Sequence, residues 1–251
     1  MKIMENKIRT PQEISAYMTT LKTWMQENQN TPAEEMGSFF AARLHIYEDR
    51  HLSQWGEEYA HIAEFFDDKM QTLLDLGCGT GLELKAIFAR FPNAKVTGID
   101  LSGEMLQKLQ ENFKGKNLEL VRADYTKYPF EKTQYDAALS FETLHHFTYD
   151  EKKALYRKIF RALHPGGYYI ECDYTACCEE EEALCLAYRA KKRRASSLPD
   201  NTWLHVDIPL TAEHQTELMK AAGFQTVKIL YQNGSTVIYR AEKADINQRY
   251  L

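Results

Sequence analysis

This chain is poor in residues that could cross-link it. Five cysteines, Cys78, Cys172, Cys177, Cys178 and Cys185, are spread over 251 residues, and none form a C-x-x-C pair. An odd number without framework spacing argues against a disulfide scaffold and fits a reducing compartment. Cys172, Cys177 and Cys178 have no His or Cys partner at the usual ligand spacing, so no metal is expected. Neither sign of charge is in large excess: 31 Lys and Arg stand against 36 Asp and Glu, a net charge of −5. That balance gives no electrostatic reason to expect a nucleic acid or an anionic membrane. No apolar run reaches 18 residues, so no membrane-spanning helix is expected. The opening MKIMENKIRT has no apolar signal core. These absences predict a cytoplasmic protein with no nucleic-acid or membrane partner, and a monomer or homodimer is expected.

What is present is enough apolar material for a core, 44% of residues with 12% aromatic. The stretch 72–100, TLLDLGCGTGLELKAIFARFPNAKVTGID, organises the rest. Leu73-Leu74-Asp75-Leu76 reads as a buried strand, broken by Gly77-Cys78-Gly79-Thr80-Gly81. Leu82, Leu84, Ile87 and Phe88 then recur at helical spacing until Phe91-Pro92-Asn93, where proline stops the helix. Lys95 to Asp100 reads as a second strand ending in a carboxylate. Glycines let backbone approach a ligand with no Cβ between. An acid about 20 residues beyond such a loop accepts hydrogen bonds from ribose hydroxyls. The spacing is G-x-G-x-G, not the G-x-G-x-x-G of nicotinamide and flavin binders, and no Gly-Lys-Ser/Thr follows.

The block D-L-G-C-G-T-G…G-I-D resembles the S-adenosylmethionine site of class I methyltransferases. The resemblance extends from about Thr72 to Tyr174. It implies a Rossmann-like, doubly wound α/β fold: a seven-stranded sheet, mostly parallel with one antiparallel strand, plus an N-terminal helical cap. It also implies that Gly77, Gly79 and Gly81 pass under the methionine part and that Asp100 holds the ribose hydroxyls. Asp124, after the third strand, would accept from the adenine amino group, with Tyr125 against the ring. Asp75, Cys78, Leu101, Ser102, Met105, Ser140 and Phe141 fall in the same cofactor-binding segments. Tyr47, in the stretch SFFAARLHIYEDRH, is expected against the cofactor or, equally, packed between helices.

Helical patterns are expected over 11–29, from a Thr31-Pro32 start through Tyr47, and over 57–66. Strands are expected at 117–121, 135–141 and 168–172, with a helix over 150–163 and a helix stop and turn over 161–167. Glu179 to Ala195, acidic at its start and basic at its end, complements the helix dipole and reads as a solvated helix. Thr211 caps a helix that ends at Gly223. Strands at 227–232 and 235–241 around Asn233-Gly234 read as a hairpin with a type I′ turn. The chain then divides into a helical cap (1–70), a cofactor-binding core (71–176), an inserted helix and substrate loop (177–210), and a last helix with a closing hairpin (211–251).

A sulfonium cofactor needs a nucleophile aligned with its methyl group, water kept out, and in some cases a base. His145, after the fourth strand, is the candidate catalytic base, because imidazole titrates near neutrality. His146, Trp203, His205 and Asp207 are candidate substrate residues. The chain lacks the N/D-P-P-Y/F block of amino-methylating nucleic-acid enzymes, any Pro-Cys pair, and the Asp/Asp/Asn magnesium set of catechol methylators. A small-molecule methyltransferase acting on an O, N or S nucleophile remains. Two alternatives stay open. One is chemistry on a carboxyl-bearing sulfonium, with Arg189 or Arg193 as the cation. The other is a non-catalytic cofactor-binding regulator.

Overall fold

The structure, a computed structural model, describes residues 4–132 and 134–245. The outer ends of the first and last expected segments, 1–3 and 246–251, lie outside the described residues. Seven strands form one sheet: β1 (Thr72–Leu76), β2 (Lys95–Asp100), β3 (Leu118–Arg122), β4 (Tyr135–Phe141), β5 (Leu163–Tyr174), β6 (Thr226–Asn233) and β7 (Thr236–Glu242). Their order is β3-β2-β1-β4-β5-β7-β6, and β7 runs antiparallel to both neighbours. Among the described residues seven α-helices accompany them: α1 (Pro11–Glu27), α2 (Met36–His61), α3 (Leu84–Arg90), α4 (Gly103–Asn112), α5 (Tyr149–Ala162), α6 (Glu179–Ala195) and α7 (Ala212–Ala222). The expected mostly parallel, seven-stranded Rossmann-like fold with N-terminal helices is therefore present.

The core explains the apolar runs. Leu73, Leu74 and Leu76 of β1 are fully buried, on both faces of this interior strand. Burying each contributes about 1.5–3 kcal/mol relative to exposure. Leu73 packs with Ile87, Phe88 and Val96 on one face, and Leu74 and Leu76 pack with Tyr156, Ile159 and Tyr169 on the other. Strand order reverses between β2-β1 and β4, which puts the ligand crevice beyond the carboxyl ends of β1 and β4.

Several boundaries differ from the sequence reading. The helices expected from Thr31 and from Glu57 are one helix, α2, bent at Trp55 (φ −126°, ψ 25°) and followed by a 3-10 turn over Ile62–Phe65. Its cap is Glu35, whose carboxylate accepts from the Gly37 and Ser38 N–H groups, in place of Thr31. β5 begins at Leu163, not 168. The segment Pro165-Gly166-Gly167 bulges between the Tyr135–Leu163 and Ala137–Tyr168 pairs, so a turn-like sequence stays within a strand. The hairpin turn is Gly234-Ser235, and only Gly234 has positive φ (59°). That is the pattern of a type II′ turn, not type I′. Finally, α6 is not simply solvated. Glu181, Cys185 and Lys192 are buried. Glu181 accepts from the Tyr17 hydroxyl at 2.6 Å, and Lys192 donates to the Asn28 carbonyl at 2.6 Å and to the Thr31 carbonyl. Burial of these charges ties α6 to α1.

Candidate active site

The loop after β1 is shaped by what stands over it. Gly77 (φ 69°) and Gly79 (φ 48°) adopt left-handed backbone that L side chains rarely take. A Cβ at Gly77 would run into the Thr143 side chain, and one at Gly79 would lie 2.9 Å from the Tyr47 hydroxyl. At the end of β2, the Asp100 carboxylate accepts from Gly79 N–H (3.0 Å) and Ser102 N–H (2.8 Å), one to each oxygen. Each oxygen keeps acceptor capacity for a further donor. Burial raises the Asp100 pKa despite those backbone bonds. Ser102 also caps α4, its hydroxyl accepting from Met105 N–H at 3.2 Å.

A crevice opens beside this loop. It is lined by Gly77, Asp100, Leu101, Ser102, Asp124 and Tyr125, and closed above by Phe40 of α2 and by Trp203. Tyr125 holds its hydroxyl 3.0 Å from Thr143 Oγ1. Asp124 is heavily engaged. Its carboxylate accepts from Thr126 N–H (2.9 Å) and the Thr126 hydroxyl (2.5 Å), from Lys127 Nζ (2.9 Å) and from Trp203 Nε1 (3.0 Å). Burial opposes ionisation there, but these donors hold the carboxyl below its ordinary range. Trp203, expected on the substrate side, thus stands on the Asp124 side of the crevice, edge-on to Phe147.

Other expected cofactor residues sit behind this wall. Cys78 and Phe141 are packed in the core, Phe141 stacked on Tyr59 with ring centres 3.9 Å apart. Met105 is buried, and Ser140 bonds the Tyr169 hydroxyl at 2.6 Å. None of these four lines the crevice. Asp75 is buried with Glu83, and burial pushes the Asp75 carboxyl up to about 7.

A second cavity, about 570 Å³, adjoins the crevice. The two share Phe40, Glu142 and His146 as walls. Aromatic side chains from α1 and α2 (Tyr17, Trp24, Phe39, Tyr47 and Trp55) form much of its lining, and His145, His146, His205 and Asp207 form a polar side. The structure therefore brings together the expected His145, His146, His205, Asp207 and Tyr47 from three separate stretches. His145 and His146 lie in a 3-10 turn, Leu144–His146, just beyond β4. Ile208 N–H donates to the His145 carbonyl at 2.7 Å, which fastens the segment carrying Asp207 to that turn.

The polar side has a definite arrangement. His145 Nδ1 lies 2.6 Å from Asp173 Oδ1, and its Nε2 lies 3.7 Å from Asp207 Oδ1. His146 Nδ1 is 3.2 Å from the same Asp207 oxygen, but it is buried and without hydrogen-bond geometry. Burial disfavours the imidazolium of His145, but the Asp173, Asp207 and Glu142 carboxylates outweigh it and push the pKa up to about 9. His146 is lowered, by burial and then by the neighbouring His145. His205 stacks flat on Phe39, ring centres 3.4 Å apart, and burial takes its pKa down to about 3.

Sequence patterns missed two residues here. Glu142 is the one non-glycine residue with positive φ among the described residues (48°). Such strain in a buried residue at a cavity wall marks functional sites. Asp173 sits at the end of β5, fully buried against His145. The available signals were Glu142 three residues before His145, and a carboxylate within an apolar strand run.

The crevice suits the nucleoside part of a sulfonium cofactor. Its floor needs glycine where side chains would collide, and Asp100 has acceptor capacity to spare. The comparisons with known proteins support the same cofactor. A methyltransferase domain model matches residues 73–167. A demethylmenaquinone methyltransferase of Lactococcus lactis subsp. lactis is 32% identical over 183 residues, 66% of this chain and 70% of that protein. The cycloartenol-C-24-methyltransferase of Arabidopsis thaliana is 29% identical over 163 residues, 62% of this chain, and the match spans 45% of that relative. Human N-acetylserotonin methyltransferase, solved with S-adenosylmethionine, shares the fold at a TM-score of 0.61 and 19% identity, over 94% of this chain and 68% of that one. The chain belongs to the class I S-adenosylmethionine-dependent methyltransferases. Among the described residues no helix is long and apolar enough to cross a membrane.

Proposed function

We propose that this chain methylates a small molecule held in the 570 Å³ cavity, at an oxygen, nitrogen or sulfur nucleophile. The observation that carries the reading is the shared wall: Phe40, Glu142 and His146 border both the crevice and the cavity. An acceptor in one can therefore meet a donor in the other. Bound in the crevice, S-adenosylmethionine supplies a methyl group on a sulfonium leaving group. Asp100 would hold the ribose, and the Thr143 side chain and the Tyr47 hydroxyl stand over Gly77 and Gly79, where the methionine part is expected. Tyr125 and Asp124 stand where the adenine is expected.

The protein's own part is alignment, exclusion of water and removal of the acceptor's proton. The aromatic side chains of α1 and α2 exclude water. His145 is the catalytic candidate, its ring fixed through Nδ1 by Asp173 so that Nε2 faces the cavity side. Contrary to the expectation of titration near neutrality, its pKa is pushed up to about 9, so it would act as a base only at alkaline pH and as a cationic hydrogen-bond donor near neutrality. His146 and Asp207 bear on the acceptor beside it. His205 acts by packing on Phe39. Chemistry on a carboxyl-bearing sulfonium would need a cation beside the crevice, and Arg43 and Arg50 line the adjoining cavity. Of the expected cations, Arg189 instead faces Glu151 at 3.8 Å, and Arg193 donates to backbone carbonyls of 199 and 202.

The test is to incubate the purified chain with S-adenosylmethionine and fractionated small-molecule extracts, following product masses. An acceptor gaining one methyl, with S-adenosylhomocysteine formed in equal amount, is the expected result. Cofactor binding without any methylated product across fractions would favour the regulator instead.

A further inference from the structure

We propose that His145 Nε2, His146 Nδ1 and Asp207 form a binding site for a divalent transition metal of the zinc type, open to the cavity. The site deepens the reading above, and rests on it only for its role in catalysis. One ligand atom from each of the three residues lies within 4.8 Å of the others. Two of the separations are 3.2 and 3.7 Å, both to Asp207 Oδ1. Tetrahedral ligands at about 2.0–2.1 Å from a zinc ion sit about 3.3 Å apart, so the three atoms are already near the spacing of one coordination sphere.

The surroundings fit the same purpose. A metal-bound histidine usually gives its other ring N–H to a carboxylate, which fixes the tautomer and aims the free nitrogen. Asp173 accepts in this way from His145 Nδ1 at 2.6 Å. The buried His146 Nδ1 faces the Asp207 carboxylate at 3.2 Å without hydrogen-bond geometry. A buried nitrogen held that way is better satisfied by a cation placed between it and the carboxylate. The backbone bond from Ile208 to the His145 carbonyl holds the third ligand against the other two. Asp207 is fairly accessible (46%) and lines the cavity, so a further coordination position faces the acceptor.

A neighbouring set, Glu142, His145 Nδ1 and Asp173, does not serve. Its nitrogen and Asp173 oxygen are 2.6 Å apart, which is a hydrogen bond with no room for a cation between them. With three protein ligands and one open position, the site has the composition of a catalytic zinc centre. An acceptor hydroxyl or thiol in the open position would lose its proton to solvent at the cavity mouth as it binds, because the cation stabilises its anion. The histidines then serve as ligands, and no free base is required.

The experiment uses the whole chain, stripped with a chelator, and titrates it with zinc and with cobalt(II) alone. One metal per chain should bind at micromolar or lower concentration. The cobalt spectrum should show a four- or five-coordinate nitrogen–oxygen site without a thiolate charge-transfer band. His146→Ala and Asp207→Asn should each weaken binding at least about a hundredfold, and Asp173→Asn by about 10–100-fold. Asp207 is partly accessible, so Asp207→Asn keeps the test valid if His146→Ala folds poorly by circular dichroism. Three results overturn the proposal: no binding up to millimolar metal, binding unchanged in both ligand variants, or a thiolate spectrum. Binding of S-adenosylhomocysteine, measured on the same stripped protein, tests the cofactor reading separately.

Discussion

Trp203 Nε1 donates to Asp124 Oδ2 at 3.0 Å, joining residues 79 positions apart across the crevice. The same segment is fixed to the start of α2, where Met36 N–H donates to the Trp203 carbonyl at 2.8 Å. Asp124 therefore already has four protein donors, of which only the indole comes from a distant element. Trp203→Phe keeps a ring against Phe147 and frees one acceptor position. Affinity for S-adenosylhomocysteine should stay level or rise up to about tenfold, the net value of one hydrogen bond. A clear fall in calorimetry would mean that the indole itself is part of the cofactor wall. Asp124→Asn, in contrast, should cost about 1–2 kcal/mol.

Asp100 should matter more. Asp100→Ala removes the acceptor expected for two ribose hydroxyls, and also the bonds from Gly79 and Ser102 N–H. Cofactor binding should weaken by about 2–4 kcal/mol. Unchanged calorimetric affinity would remove Asp100 from the cofactor site.

The contact between Gly79 and Tyr47 can be separated from backbone strain. Gly79→Ala should destabilise the fold by about 1–3 kcal/mol, through its φ of 48° and a Cβ 2.9 Å from the Tyr47 hydroxyl. Without that hydroxyl the next Tyr47 atom is 3.5 Å away, an ordinary contact. In urea unfolding, Tyr47→Phe should therefore recover part of the loss, with a coupling of at least about 0.5 kcal/mol. Strict additivity would show that Tyr47 moves aside freely.

His145→Phe and His205→Phe should behave differently once an acceptor is identified. Phenyl preserves the flat stack of residue 205 on Phe39, so turnover should change by less than about threefold there. At residue 145 it removes Nε2 from the cavity, and turnover should fall at least tenfold, about 1.4 kcal/mol in the barrier. Equal losses at the two positions, measured with saturating cofactor, would reject this division of roles.

Asp75 links stability to pH. Its carboxyl is raised from 3.8 to about 7 in the folded state, so folding favours its protonated form. The corresponding stability is fully present below about pH 4 and is lost as pH rises through about 7. Asp75→Asn should remove that dependence. The stability of the variant relative to wild type, from urea unfolding, should be greater at pH 8 than at pH 5. An unchanged difference would show that Asp75 ionises freely beside Glu83.

By itself the sequence determined the frame. Glycine and proline placement and apolar periodicity located β1, β4, α6 and α7, the loop of Gly77 to Gly81, and the acid ending β2, because these signals act within a few residues along the chain. They also led to the family and its cofactor, through a pattern confined to one βαβ unit. Three other features were not local. The Pro165-Gly166-Gly167 segment looked like a turn, and pairing with β4 and β7 absorbed it into a strand as a bulge. The acidic and basic ends of α6 looked solvated, and packing against α1 buried Glu181 and Lys192 with partners more than 150 residues away. The third is the grouping of His145, His146, Asp173 and Asp207, which come from a turn, a strand end and a loop. Which nitrogen faces which carboxylate depends on distances of a few tenths of an ångström between segments that no spacing rule connects. Only the packed sheet, and the backbone bond from Ile208 to His145, set those distances.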